Sequence, residues 1–308
     1  MARQRQKKAK PKGTRTVLRI PDLEHSRSAV LNSLPALTSQ ISYKHAMDEF
    51  IAWYCSEPRL AFNRTVVLRY RFFLEQKNLA PSPINVRLAA VRRLAYEAAD
   101  SGLLSPELAA GIARVKGAKE LGTRVGNWLT REQGKVLLAR SPTDTFRGQR
   151  NRAILAVLLG CRLRRAELVS LRVEDLQIRE EHWIIADLLG KGKHRRTVPM
   201  PTWVKKAVDD WTSAAGISQG KIFRRVNDQG VLSSESLTPK AIWHVVKAAA
   251  ERAGITDLAP HDLRRTCARL CHEAGGELEQ IQFLLGHVSI ETTERYLGCK
   301  QKLRHAVE

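Results

Sequence analysis

Between residues 38 and 116, apolar side chains recur every three to four positions, the period of helices that bury one face. A first helix, capped by Thr38 or Ser39, would turn Ile41, Phe50, Trp53 and Tyr54 inward. A second, opened by Asn63 or Thr65, would bury Val66, Val67, Tyr70 and Phe73. Ser82-Pro83 starts a third, with the stripe Ile84, Leu88, Val91, Leu94, Ala95 and Ala98, and Ser101-Gly102 ends it. Ser105-Pro106 starts a short fourth. The period then fails: residues 116–127, KGAKELGTRVGN, are rich in Gly and Lys and read as a linker.

Thr130 and Gln133 stand at capping-box spacing and restart regular structure. Helices are predicted over 131–140, 147–160, 165–171, 202–214, 239–253, 261–274, 277–285 and 290–297. Between them VEDLQI and HWIIAD read as a hairpin, and HRRTVPM as a third strand. The class is mainly α: a four-helix N-terminal domain over 26–115, then a helix-rich α+β domain over 128–308 with a small antiparallel sheet. Ahead of both, residues 1–25 read as a basic, disordered arm. It begins with Arg3, Arg5, Lys7, Lys8, Lys10, Lys12, Arg15 and Arg19 and no acid among them.

Charge sharpens this picture. The net charge of +21, from 52 Lys and Arg against 31 Asp and Glu, points to a polyanionic partner, and nucleic acid is the usual one. Arg69, Arg71, Arg87, Arg92 and Arg93, on the second and third helices, are the candidate DNA-facing residues of the first domain. No apolar run has the length of a membrane span, and no apolar segment follows the basic N-terminus as in a secretory signal. A cytoplasmic, nucleoid-associated protein with no membrane partner is expected. The five cysteines are odd in number and scattered, as reduced thiols are. Cys267, Cys271 and His272 lie close in sequence but lack a second half to complete a metal site, so no metal and no cofactor are expected.

Several motifs of the second domain carry chemistry. LLGCRLRRAELVSLR places Arg162, Arg164 and Arg165 directly after an apolar helix, with Glu167 three residues beyond Arg164 and able to hold it. GKGKHRRTVPM is a glycine-basic turn entering a strand. HDLRR places His261 and Arg264 on one helical face. His287 lies beyond a helix end, and Tyr296 follows nine residues later. Together they suit phosphoryl transfer. Guanidinium forks and imidazoles stabilise a phosphodiester oxygen that gains charge, and a tyrosine hydroxyl can attack. A lysine in the turn can protonate the leaving oxygen.

In this order the motifs resemble the catalytic domain of the tyrosine recombinases, the phage-integrase and Xer family, over about residues 128–298. The preceding helices resemble the family's core-binding domain. CRLRRAEL stands where the family has Thr-Gly-Leu-Arg-x-x-Glu-Leu, so the Glu-Leu pair makes Arg164 the catalytic arginine and Glu167 its supporting acid. Cys161 and Arg162 depart from the family's Thr-Gly. GKGKHRRTVP resembles the hairpin that carries the family's lysine, giving Lys191, with Lys193 as competitor and DNA contact. HDLRRT gives His261 and Arg264, LLGH gives His287, and TTERYLG gives the nucleophile Tyr296.

The resemblance implies a site-specific recombinase that cuts and rejoins DNA through a 3′-phosphotyrosyl intermediate, without metal or ATP. Its implied partners are double-stranded DNA with specific recombination sites and three further copies of itself, as a homotetramer on DNA. Integration or excision of a mobile element is the expected role, and residues 299–308 would be a short segment docking on a neighbouring subunit. Type IB topoisomerase-like relaxation, or a non-catalytic DNA-binding regulator keeping the fold, are the alternatives.

Overall fold

A computed structural model describes residues 20–56, 61–119, 127–190, 195–227, 229–286 and 289–297. The chain divides into two compact units, Met1–Thr123 and Arg124–Glu308, and the division falls inside the expected linker.

The first unit is helical: α1 (Ile20–Asn32), α2 (Leu37–Ser56), α3 (Arg64–Gln76), α4 (Pro81–Asp100) and α5 (Pro106–Ala113). The central helix is α4, whose predicted stripe from Ile84 to Ala98 is buried against the other four. Phe50 anchors the core, edge-on to Tyr70 with ring centroids 5.0 Å apart. Asn63 caps α3 by accepting from the Val66 amide at 3.1 Å, and Ser105 caps α5.

Three expectations change here. A fifth helix, α1, precedes the four expected, so the basic arm does not extend to residue 25, while residues 1–19 lie outside the described residues. Leu23, Ser26 and Val30 are its fully buried face, and the serine on that face hid the apolar period. Neither Thr38 nor Ser39 caps α2, because the Ala36 carbonyl already accepts from the Ser39 and Gln40 amides. Ile41 is therefore exposed, and the inward face starts at Ala46. Finally, the start of the linker is docked. The Asn85 side chain pairs with both backbone groups of Ala118, at 2.8 and 3.1 Å, and Arg71 donates to the Lys116 carbonyl.

The second unit continues with α6 (Arg131–Ala139), α7 (Phe146–Cys161) and α8 (Arg165–Ser170). The Thr130–Gln133 capping box forms in both directions. Every residue of α7 from Ala153 to Leu159 is buried, which makes it the central helix of this unit. A three-stranded antiparallel sheet follows: β1 (Leu176–Arg179), β2 (His182–Leu189) and β3 (Arg195–Pro199), in that order. The expected strand over VEDLQI is partly a single 3-10 turn, Val173–Asp175. Then come α9 (Thr202–Ala214), β4 (Arg224–Val226), β5 (Leu232–Ser236), α10 (Pro239–Ala253), α11 (Pro260–Glu273), α12 (Leu278–Leu285) and α13 (Ile290–Leu297). The β4–β5 hairpin was not expected, because its strands are short and its exposed positions polar. Among the described residues, no helix is long and apolar enough to cross a membrane.

Candidate active site

The site begins where α7 ends. Arg162 adopts the left-handed conformation, φ 55° and ψ 29°, at the C-terminal cap of α7, a position that glycine usually fills. This turn reverses the chain so that Arg164 becomes the residue before α8. Glu167, in the first turn of α8, accepts from the Arg164 amide at 2.7 Å and from Arg164 Nη1 at 2.8 Å. The three neighbouring arginines thus separate. Arg162 is buried, Arg165 is exposed, and Arg164 is half-exposed and held in one pose.

A fourth arginine, which the sequence reading did not single out, completes this arrangement. Arg196 on β3 donates Nη1 to Glu167 Oε1 at 3.0 Å and Nη2 to Oε2 at 2.8 Å. Its Nε donates to the Leu284 carbonyl at 3.2 Å. Strand alternation was the available signal: Arg196 stands two residues before the buried Val198, on the same face of β3.

Helix α11 brings His261 and Arg264 to the same place, one turn apart on one face. Arg264 is 1% exposed. It donates Nη1 to the Arg162 carbonyl and Nη2 to the Leu285 carbonyl at the end of α12. These two bonds tie the turn after α7 to the end of α12. Tyr296 on α13 meets the start of α11. Its ring stands edge-on to His261 with centroids 5.3 Å apart, and its hydroxyl donates to the His261 carbonyl at 3.5 Å. The Arg265 guanidinium lies 4.9 Å from the centre of the tyrosine ring. A cleft of about 420 Å³ is lined by Arg164, Arg165, His261 and Arg264, with Leu163 and Pro260 among its walls.

The electrostatics follow from this crowding of cations. Burial alone would raise the Glu167 carboxyl, but the bonds and charges of Arg196 and Arg164 bring it down to about 2. Burial, with Arg164 nearby, lowers Arg264 to about 10. Withdrawal from water and the positive charges of Arg264 and Arg265 lower His261, so its neutral form is favoured. Burial raises the Tyr296 phenol to about 12, although Arg264 and Arg265 pull against it. The phenol is therefore protonated at neutral pH, and attack by its oxygen requires an acceptor for that proton.

The structure thus gathers Arg164, Glu167, His261, Arg264 and Tyr296. Lys191, Lys193 and His287 lie outside the described residues, as do residues 298–308. Of the candidate metal ligands, Cys267 is buried and Cys271 half-buried on α11. No group of three or more His, Cys, Asp or Glu side chains suited to a metal forms among the described residues.

Of the five candidate DNA-facing arginines, four are engaged within the first unit. Arg87 pairs with Glu49 at 2.7 Å and Arg71 with Glu75 at 2.8 Å. Arg92 donates to the Val115 carbonyl, and Arg93 to Ser33 Oγ at 2.9 Å. Arg69 is exposed.

Known proteins resemble this chain over most of its length. The phage integrase family matches residues 127–302. The tyrosine recombinase XerC of Pseudomonas fluorescens is 31% identical over 226 residues, 72% of each chain. The tyrosine recombinase XerD of Lacticaseibacillus casei is 27% identical over 85% of this chain and 87% of its own. Among solved structures, the XerH recombinase in a post-cleavage complex with its palindromic difH substrate aligns with a TM-score of 0.71. It is 17% identical, over 90% of this chain and 80% of that one. A lambda integrase dimer bound to a COC′ core site aligns with a TM-score of 0.69 and 15% identity, over 95% of this chain and 99% of that one. At such identities the solved structures speak to the fold.

Proposed function

The chain belongs to the phage integrase family, and from that premise we propose that it is a site-specific DNA recombinase that breaks and rejoins strands through Tyr296. The observation that carries this reading is the meeting of Arg164, His261 and Arg264 at one cationic cleft, with Tyr296, from a third helical region, packed against His261. Tyr296 Oη attacks the scissile phosphorus, and the 5′-oxygen of the next nucleotide leaves. Arg164 and Arg264 neutralise the non-bridging oxygens as charge develops, with His287 as a further donor. His261 takes the phenolic proton, for which its favoured neutral form suits it, and Lys191 protonates the departing oxygen. A free 5′-hydroxyl then attacks the phosphotyrosine and restores both the backbone and the phenol.

The partner is duplex DNA carrying a specific recombination site, and the active assembly is a tetramer on two duplexes. The role is integration or excision of a mobile element, in keeping with the basic arm ahead of the two domains.

The test uses a pool of nicked duplexes with randomised arms, in which loss of a short 3′ fragment after cleavage prevents religation. The wild-type protein becomes covalently linked to a selected subset of the pool, whereas Tyr296→Phe binds the same subset and links to none. Absence of covalent product from the wild type, or equal product from the variant, overturns the reading. Sedimentation of the protein with the selected duplex then measures the assembly, and a species no larger than a dimer removes the tetramer.

A further inference from the structure

Two features of the sequence remain outside the reaction: the Cys161-Arg162 pair in place of Thr-Gly, and the cysteines at 267 and 271. The fold brings them together. Cys267 and Cys271 lie four residues apart on α11, on one face. Arg162 Nη2 donates to Cys271 Sγ. Cys161, at the end of α7, is buried beside them. The Arg162 guanidinium is thus buried against a sulfur, and its own carbonyl holds Arg264. The same helix carries His261 and Arg264 at its other end.

We propose that Cys267 and Cys271 form a peroxide-sensitive thiol pair that controls the Arg264 pocket from behind. The inference rests on the recombinase reading for its consequence, but not for its chemistry.

Cys271 is the entry point. It is half-buried, whereas Cys267 and Cys161 are buried. The neighbouring Cys267 thiol and the charge of Arg162, whose Nη2 donates to its sulfur, bring the Cys271 thiol below its ordinary value and so raise its share of thiolate. Thiolate attack on a peroxide breaks the O–O bond, leaves a sulfenic acid on Cys271 and releases hydroxide. The Cys267 thiol then attacks that sulfur, a disulfide forms and water leaves. In sum, two thiols lose two electrons and the peroxide gains them.

The structural effect follows from helix geometry. Side chains four apart on a helix have Cβ atoms about 5–6 Å apart, whereas a disulfide requires about 4 Å. Closing the bridge therefore bends α11 within one turn of Arg264. It also removes the anionic partner of Arg162, whose buried guanidinium must move and take its carbonyl with it. Arg264 loses an anchor, and the oxidised protein cleaves DNA poorly.

Peptide mapping tests the chemistry without DNA. Trypsin separates Cys267, in the peptide 266–269, from Cys271, in the peptide 270–295. After brief treatment of the full-length protein with hydrogen peroxide, these two peptides are recovered linked, and dithiothreitol separates them. Cys267→Ala arrests at the sulfenic acid, which dimedone traps on Cys271. Arg162→Gly, which relieves the left-handed residue and removes the guanidinium, slows the reaction of Cys271 with peroxide at least fivefold. Covalent trapping of the selected nicked duplex falls at least fivefold on oxidation, recovers with dithiothreitol, and is insensitive to peroxide in Cys271→Ser. A linkage to another cysteine, no linkage at all, or unchanged trapping by the linked protein overturns the proposal. If peptides link but no DNA is trapped in either redox state, the recombinase reading fails and the thiol chemistry stands.

Discussion

Arg196 and Glu167 are joined by two parallel hydrogen bonds, of 3.0 and 2.8 Å, between the third strand and the helix that follows Arg164. The Glu167 side chain is buried and that of Arg196 is only 10% exposed, so the pair is a two-point clamp rather than a surface contact. Through Glu167 the clamp fixes Arg164, and through Nε it fixes the end of α12, next to the carbonyl that holds Arg264.

The Glu167 carboxyl is depressed in the folded protein to about 2 from an ordinary 4.5. Its contribution is therefore present above pH 4.5 and is lost as pH falls towards 2, an effect of about 3 kcal/mol. Urea unfolding of the second unit between pH 6 and pH 3 should show about 2 kcal/mol of that decline in the wild type and a flatter curve in Glu167→Gln. Arg196→Gln should destabilise this unit by about 3–5 kcal/mol at pH 7. The milder Arg196→Lys, which keeps the charge but not the fork, should cut covalent trapping while leaving DNA affinity unchanged.

Arg264 spans two carbonyls on different elements, those of Arg162 and Leu285. A lysine cannot serve both. Arg264→Lys should lower covalent trapping by about 10²-fold. It should also cost about 1–3 kcal/mol of stability from the carbonyl left without a donor, measured by thermal or urea unfolding. A variant that trapped DNA at the wild-type rate would remove Arg264 from the site.

The phenol of Tyr296 should titrate at about 12 in the free protein. The difference between the ultraviolet titrations of wild type and Tyr296→Phe isolates it. Arg265→Gln removes the cation over its ring and should shift that titration upwards. A phenol titrating near 10 in the wild type would show that burial does not govern it.

In the first unit, Arg87 and Arg69 should behave oppositely. Arg87→Ala breaks a link between α4 and α2 and should lower the unfolding midpoint of this unit. Arg69→Ala should leave stability alone, weaken DNA binding, and reduce the slope of log affinity against log salt by about 0.9. An unchanged salt slope would remove Arg69 from the DNA-facing set.

The turn between β1 and β2 offers a stability test away from the site. Glu180 and Glu181 both have positive φ, 48° and 63°, the conformation of a two-residue turn that Asn-Gly satisfies with less strain. Replacing the pair by Asn-Gly should stabilise the second unit by about 1 kcal/mol, which raises its melting temperature by about 2–4 °C. A lower melting temperature would contradict this account of the turn.

Much of this protein is written in its local sequence. The stripe of α4, the caps Asn63, Ser105 and Thr130, and the apolar α7 are readable because period and capping depend on near neighbours. The motifs around Arg164, His261 and Tyr296 are readable for the same reason, since each lies within one short element. Where local signals conflicted with packing, they misled. Ser26 lies on the buried face of α1, and Ile41 lies on the exposed side of α2. The β1–β2 turn has no glycine or asparagine to mark it.

The sequence alone determined most of the helices, the place where the chain divides and the residue types suited to a phosphate, because those follow from spacing along the chain. Only the tertiary structure decided which groups touch. Nothing in HRRTVPM says that Arg196 will clamp Glu167, and nothing in CRLRR says that Arg162 will turn away from the cleft to a cysteine more than a hundred residues on. Those contacts depend on where α7, α11 and β3 pack against one another, and packing is a property of the whole core that no single segment carries.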